Sequence, residues 1–290
     1  MRLISYLAEG SEHLGIESAG RAVAATDLLP DGPATIGDVL TDPGALDRLR
    51  HALAASLLSP SAGVPLGEVT LLAPVPRPGK VVAVGLNYHE HAAEGGRETP
   101  PQPVLFAKFT TSIIGHGARI TWDPGLTAAV DFEAELAVVI GRTARRVTEA
   151  EAPTYVLGYT CLNDVSARDL QFSDKQFVRA KSLDTFTPIG PALVTIDEIP
   201  DPQALGIRCL VNGEVMQDSS TAQMVHGVAA LIAFCSRAFT LEPGDIIATG
   251  TPSGVGWFRD PKRMLRDGDE VVVEIDGVGR LVNRCREERP

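Results

Sequence analysis

Hydrophobic and polar positions alternate most regularly between Val130 and Gly141, where Asp131, Glu133 and Glu135 are interleaved with apolar residues and lead into Ala137-Val138-Val139-Ile140. A period of two predicts a strand with the three carboxylates on one face. Shorter apolar runs predict further strands at Val81–Gly85 and Leu157–Asp164, and a hairpin around Asp276-Gly277 between Glu270 and Val282. At the N-terminus, residues 2–7, 14–18 and 21–25 read as strands separated by glycine turns. Leu46, Leu49, Leu53 and Leu57 recur at helical spacing and predict a helix over 45–58 with a core-facing stripe. Thr148 and Glu151 have capping-box spacing, with Pro153 set to shorten or kink the helix they open. A second helix is predicted over 221–239, with Met224, Val228, Leu231, Ile232 and Cys235 on its apolar face. The proline-rich passage 74–80 is the natural connector, dividing a small N-terminal α+β domain (1–73) from a strand-dominated domain (74–290).

The chemistry concentrates in the polar positions of these elements. Like charges on neighbouring same-face positions raise one another's pKa unless a counter-charge is near. A hard divalent cation is the simplest one, since all-oxygen ligation suits Mg2+, Mn2+ or Ca2+; the plain alternative is an edge strand with a solvated acidic face. Asp164, at the mouth of the 157–164 strand, offers a further carboxylate. Ser166 and Asp169 beside it have capping-box spacing, which predicts a short helix starting there. Lys181 precedes a strand bounded by Pro188, Gly190 and Pro191, where it matters only if the fold returns it to the acidic cluster as a fixed positive charge. On a helical turn after Val81–Gly85, His91 and Glu94 share a face and His89 does not. They can form a base with its orienting carboxylate, a metal pair, or an exposed polar turn; Gly95-Gly96 behind them suits a mobile lid.

In order, Gly85-Leu86-Asn87-Tyr88 with His91 and Glu94, Asp131-Phe132-Glu133-Ala134-Glu135-Leu136, Asn163 to Gln171, Lys181 to Phe186, and Gly250 to Gly256 resemble the motifs of the fumarylacetoacetate hydrolase family. The resemblance implies a mixed α+β, β-rich fold of sandwich or roll type. It also implies Mg2+ or Mn2+, with Ca2+ as a stand-in, on Glu133, Glu135 and Asp164, leaving Asp131 behind the ligands. His91 and Glu94 would activate water and Lys181 would steady developing charge, with Tyr88, Arg168, Gln171 and Thr251 on the substrate. The loops 172–179 and 106–112 would shape the pocket, although Phe109, Thr110 and Thr111 stand where many members carry Pro and Ser. The activity implied first is metal-dependent hydrolysis of a C–C bond in a 1,3-dioxo acid of acylpyruvate or fumarylpyruvate type, through an enolate the metal stabilises. Decarboxylation of an oxaloacetate-like 2-oxo acid, isomerisation of 2-hydroxyhepta-2,4-diene-1,7-dioate and simple keto–enol transfer use the same groups. A non-catalytic metal or dicarboxylate binder is the remote alternative, against which His91, Glu94 and Lys181 all stand intact. Family analogy also implies a homodimer.

Composition narrows the partners. A net charge of −11 over 290 residues argues against nucleic acid or an anionic membrane surface as the main partner, and an acidic substrate would have to be met by local positive charge, which the metal and Lys181 could supply. Four scattered cysteines without a Cys-x-x-Cys pair suit free thiols in a reducing, cytoplasmic setting; the first apolar run is too short for a signal peptide, and no membrane span is apparent. Gly250–Gly256 lacks the Lys-Ser/Thr of a phosphate loop, and Ser253 lacks the preceding glycine of a nucleophile elbow.

Overall fold

A computed structural model describes residues 1–56 and 62–288. Strand (36%) outweighs helix (24%), as the sequence predicts. The strand Ala134–Ile140 lies at the centre, and all seven of its residues are buried. Its alternation now faces two cores. Leu136, Val138 and Ile140 join a cluster with Val271, Val273 and Leu281 of the C-terminal hairpin and with Leu231 and Ile232 of the helix Val228–Ala238. Ala137 and Val139 join a second cluster with Leu3, Leu14, Ile16 and Leu49 of the N-terminal stretch. Burial on both faces explains why this strand is a near-continuous apolar run after its first acid.

Among the described residues, twelve strands form one mixed sheet. Ala134–Ile140 pairs antiparallel with Val156–Asn163 on one side and Ile246–Ala248 on the other, and the latter runs parallel to Val81–Gly85. Beyond Val156–Asn163, Thr187–Thr195 pairs antiparallel with Arg2–Ala8 of the N-terminal stretch. The sheet and the second core therefore run across the expected 73/74 boundary. A five-stranded sheet, containing Gly206–Val211 and the hairpin Glu270–Ile275/Gly279–Glu287, covers the opposite face.

Most predicted elements stand, with informative differences. The helix predicted over 45–58 is Ala45–Ala55, with Leu49 buried; Leu57 and Leu58 lie outside the described residues. Thr148 and Glu151 do exchange capping bonds, but with Pro153 behind them they open only the 3-10 turn Ala152–Tyr155. The helix predicted over 221–239 is divided into a 3-10 turn Thr221–Gln223 and the helix Val228–Ala238. Met224, in extended backbone between them, is buried in the core and bridges to Tyr88.

The acidic strand is also not continuous. Val130–Asp131 pairs with Ser166–Ala167, and the central strand starts only at Ala134. Side chains from elsewhere take the intervening amides: Glu133 N donates to Asn163 Oδ1 (3.0 Å) and Ala134 N to Gln217 Oε1 (2.9 Å). This break separates Asp131 from the other two carboxylates.

A candidate carboxylate metal centre

Glu135 opens the central strand, Glu133 sits in the break before it, and Asp164 follows the end of the neighbouring strand Val156–Asn163. Antiparallel pairing brings these ends together, since Ala134 faces Asn163 and Asp164 N donates to Glu133 O (2.9 Å). One oxygen from each of the three buried carboxylates lies within 4.8 Å of the others. These are the three carboxylates that the family resemblance implies as metal ligands.

The surrounding charges show why the arrangement is tolerated. Lys181, at the end of the helix Phe177–Lys181, is itself buried and donates to Glu133 Oε2 (2.8 Å), Asp164 Oδ2 (2.9 Å) and Ser166 Oγ (2.7 Å). Arg168 Nη1 pairs with Glu133 Oε1 at 2.7 Å. Burial opposes ionisation of Glu133, but Lys181 and Arg168 overcome it and hold the carboxyl well below its usual range. Glu135 has no such cation in contact. Burial, reinforced by Asp164 and Glu133, pushes its carboxyl up, and the amide of Gly250 (2.9 Å) offsets this only in part. A buried carboxyl repelled by two others is what a hard divalent cation would relieve, so the residues fit Mg2+ or Mn2+.

Lys108, which the sequence marks only as part of the pocket-shaping stretch 106–112, completes this charge balance. It is buried at the end of the strand Val104–Lys108, where its ammonium group donates to Asp164 Oδ1 and to the carbonyl of Lys181. Asp164 is thus held by one lysine on each oxygen. The available signal was electrostatic: Asp131, Glu133, Glu135 and Asp164, once buried, need more than one fixed cation.

A cavity of about 340 Å3 opens onto the cluster. His91, from the helix His89–Glu94, lines it with Arg168, Gln171, Lys181 and Thr251, and so do four phenylalanines at 106, 172, 177 and 258. His91 Nδ1 lies 2.7 Å from Glu94 Oε1, and Glu94 Oε2 accepts from Gly254 N (2.9 Å), so the expected lid element is docked. With Nδ1–H donated to the carboxylate, Nε2 is the basic nitrogen. Phe258 packs edge-on against the imidazole at a centroid distance of 6.2 Å. Thr251 Oγ1 accepts from Gln217 Nε2 (2.8 Å), leaving its own hydrogen to donate. The stretches 106–112 and 172–179 contribute Phe106, Phe172, Lys175 and Phe177, whereas Phe109 is exposed and does not line the cavity.

Two expectations are corrected. Tyr88 does not line the cavity: it is fully buried in the core, its hydroxyl has no hydrogen-bond partner, and burial pushes its pKa up. The Ser166–Asp169 capping box does not form. Ser166 Oγ instead serves Lys181 and the Asp164 carbonyl, while Asp169 accepts from Thr127 Oγ1 (2.6 Å) and Ala128 N (3.0 Å). The short helix Arg168–Asp174 begins there without a side-chain cap.

Residues 80–286 match the family model described as fumarylacetoacetate (FAA) hydrolase C-terminal. The chain belongs to the fumarylacetoacetate hydrolase family. It is 45% identical over 290 residues to the mitochondrial oxaloacetate tautomerase Fahd2a of Rattus norvegicus, covering 98% of this chain and 91% of that protein. Among solved structures it is similar to 2-hydroxyhepta-2,4-diene-1,7-dioate isomerase from Mycobacterium marinum (TM-score 0.75, 36% identity, 99% of each chain). It is also similar to maleylpyruvate hydrolase from Sphingobium sp. SYK-6 (TM-score 0.81, 33% identity, 99% of this chain and 100% of that one). The fold expectation and the family resemblance are therefore met, in a family whose members include tautomerases, isomerases and hydrolases. Among the described residues, no helix is long and apolar enough to cross a membrane.

Proposed function

We propose that this protein is an enzyme interconverting the keto and enol forms of a 2-oxo acid, with oxaloacetate as the substrate. The reading departs from the C–C hydrolysis put first by the sequence. The observation that carries it is the convergence on one cavity of the His91–Glu94 pair, the Glu133/Glu135/Asp164 cluster and Lys181. These are the groups proton transfer next to a carbonyl requires: a base, and positive charge at the oxygen where negative charge builds. Likeness to an oxaloacetate tautomerase over 98% of the chain supports tautomerisation over the alternatives.

Glu133, Glu135 and Asp164 would hold Mg2+ or Mn2+, which when bound supplies a Lewis acid for the 2-oxo oxygen. His91 Nε2 takes a proton from C3 of the keto acid, with Glu94 balancing the imidazolium charge. Lys181 offsets the negative charge that passes to the 2-oxygen, and the His91 imidazolium, directly or through a water, gives the proton to that oxygen, which completes the enol and restores the neutral base. Arg168, Gln171 and Thr251 supply donors and acceptors along the wall to orient the acid. The cavity's phenylalanines keep bulk water from quenching the intermediate charge. Hydrolysis of a 1,3-dioxo acid is the second reading, favoured by the same His91–Glu94 geometry, which is equally able to deprotonate a water.

The test is exchange of the C3 protons of oxaloacetate in deuterated water with Mn2+ present, set beside cleavage of simple acylpyruvates by the same preparation. Faster metal-dependent exchange than cleavage is expected; cleavage without exchange would move the assignment to hydrolysis. We also propose a homodimer, and sedimentation as a monomer at micromolar concentration would refute it. A reducing compartment such as the cytoplasm suits the four free, buried cysteines.

A further inference from the structure

Asp131 is the acid of the strand motif that the carboxylate cluster leaves out, yet it is fully buried. Each of its oxygens accepts twice. Oδ1 takes Phe132 N (2.9 Å) and Gly256 N (2.8 Å); Oδ2 takes Trp257 N (3.0 Å) and Arg168 Nε (2.8 Å). Four donors saturate a carboxylate, and here they come from three segments far apart in sequence. The close approach of the turn needs Gly256: a Cβ there would overlap Arg263 O and stand 2.7 Å from Asp131 Oδ1.

Both ends of this knot reach the cavity. Arg168, with Nε on Asp131 and Nη1 on Glu133 and Gln171, is fixed in its plane. Its Nη2 is buried without a hydrogen-bond partner, in a residue that lines the cavity. A buried N–H left unpaired is costly, so such a donor points to an acceptor that arrives with a ligand. At the other end, Trp257 packs on Phe172 at a centroid distance of 5.2 Å, and the next residue, Phe258, packs on His91.

We infer that Asp131 is a positioning residue: it holds Arg168 so that the free Nη2 donor meets the carboxylate of a bound acid, and it holds the 256–258 turn against the His91 helix. The inference rests on reading the cavity as a 2-oxo acid site.

The test is calorimetric binding of oxalate to the Mn2+-loaded protein, oxalate being the smallest anion with the adjacent oxygens of a 2-oxo acid. Asp131→Asn removes the charge that Arg168 pairs with and places an N–H against one of the two donor pairs, Phe132 N with Gly256 N or Trp257 N with Arg168 Nε. It should weaken oxalate by about 10–100-fold, the range for a displaced charge-assisted hydrogen bond, read at Mn2+ concentrations that saturate the site in both proteins. In an Arg168→Gln background the same substitution should cost oxalate several-fold less, because the route through Arg168 is gone and only the hold on the 256–258 turn remains. An equal loss in both backgrounds, or no loss in either, overturns the inference. Should Asp131→Asn not fold, the Arg168 Nε–H of the wild-type protein decides the matter by NMR: a signal protected from exchange supports the Asp131 contact, and a freely exchanging one refutes it. Failure of wild-type protein to bind oxalate would instead count against the 2-oxo acid reading.

Discussion

Replacing Glu135 by Gln should stabilise the metal-free protein and weaken the metal-loaded one. The side chain is almost fully buried, its donor partner is the amide of Gly250, and its nearest charges are Glu133 and Asp164. Two like charges 4.8 Å apart repel by about 3.5 kcal/mol at an effective dielectric constant near 20. Lys181 offsets part of this, so about 2–3 kcal/mol is the expected gain when the charge is removed and the Gly250 bond is kept by the amide oxygen. A chain of 290 residues has an unfolding entropy near 0.6 kcal/mol per kelvin, which converts the gain to a rise of about 3–5 °C in Tm. Loss of a direct ligand should cost Mn2+ more than the ~10–100-fold assigned to groups behind the ligands. Saturating Mn2+ should therefore raise the wild-type Tm far more than that of the variant. Thermal melts at pH 7 in chelator and in Mn2+, with calorimetry of Mn2+ binding, make the comparison. A variant that melts lower than wild type in chelator, or binds Mn2+ as tightly, would refute the reasoning.

His91→Ala should lower C3 exchange by about 10²–10⁴-fold with Mn2+ affinity kept, as measured on one preparation by NMR and calorimetry. Lys108→Met leaves an Asp164 oxygen buried without its cation, so a loss of about 3–5 kcal/mol in chemical denaturation is expected; a loss under 1 kcal/mol would remove its structural role. Arg97 and Lys175 line the cavity and have no ion-pair partner among the described residues. Replacing both by Ala should lower kcat/KM for oxaloacetate relative to 2-oxobutanoate, which lacks the second carboxylate, by about 10-fold or more in the exchange assay. The thiols of Cys161, Cys235 and Cys285 are pushed up to about 12 by burial, so they should resist alkylation at pH 8 until the protein is denatured.

The parts legible in the sequence are those fixed by local pattern. The 134–140 run had to be a buried strand, and Glu133, Glu135 and Asp164 meet because adjacent antiparallel strands end together. His91 and Glu94 meet because residues three positions apart on a helix share a face. What stayed hidden depends on distant partners. The strand breaks at Glu133 because Asn163 and Gln217 capture its amides, and no periodicity encodes that. Ser166 abandons its cap for Lys181, fifteen residues away, and Lys108 reaches Asp164 across fifty-six. Tyr88 carries a motif-like position at a helix start, but its side chain is fully buried in the core cluster and its backbone bridges to Met224. The N-terminal stretch reads as its own unit because the 74–80 connector is proline-rich, while its leucines cover the second face of the central sheet.

The most direct test of the account is the rate of C3 proton exchange in oxaloacetate, measured by NMR for the wild-type protein with Mn2+ and with chelator. Exchange well above the uncatalysed rate is expected with Mn2+, falling to near background in chelator. Exchange no faster than background with Mn2+ bound would contradict it.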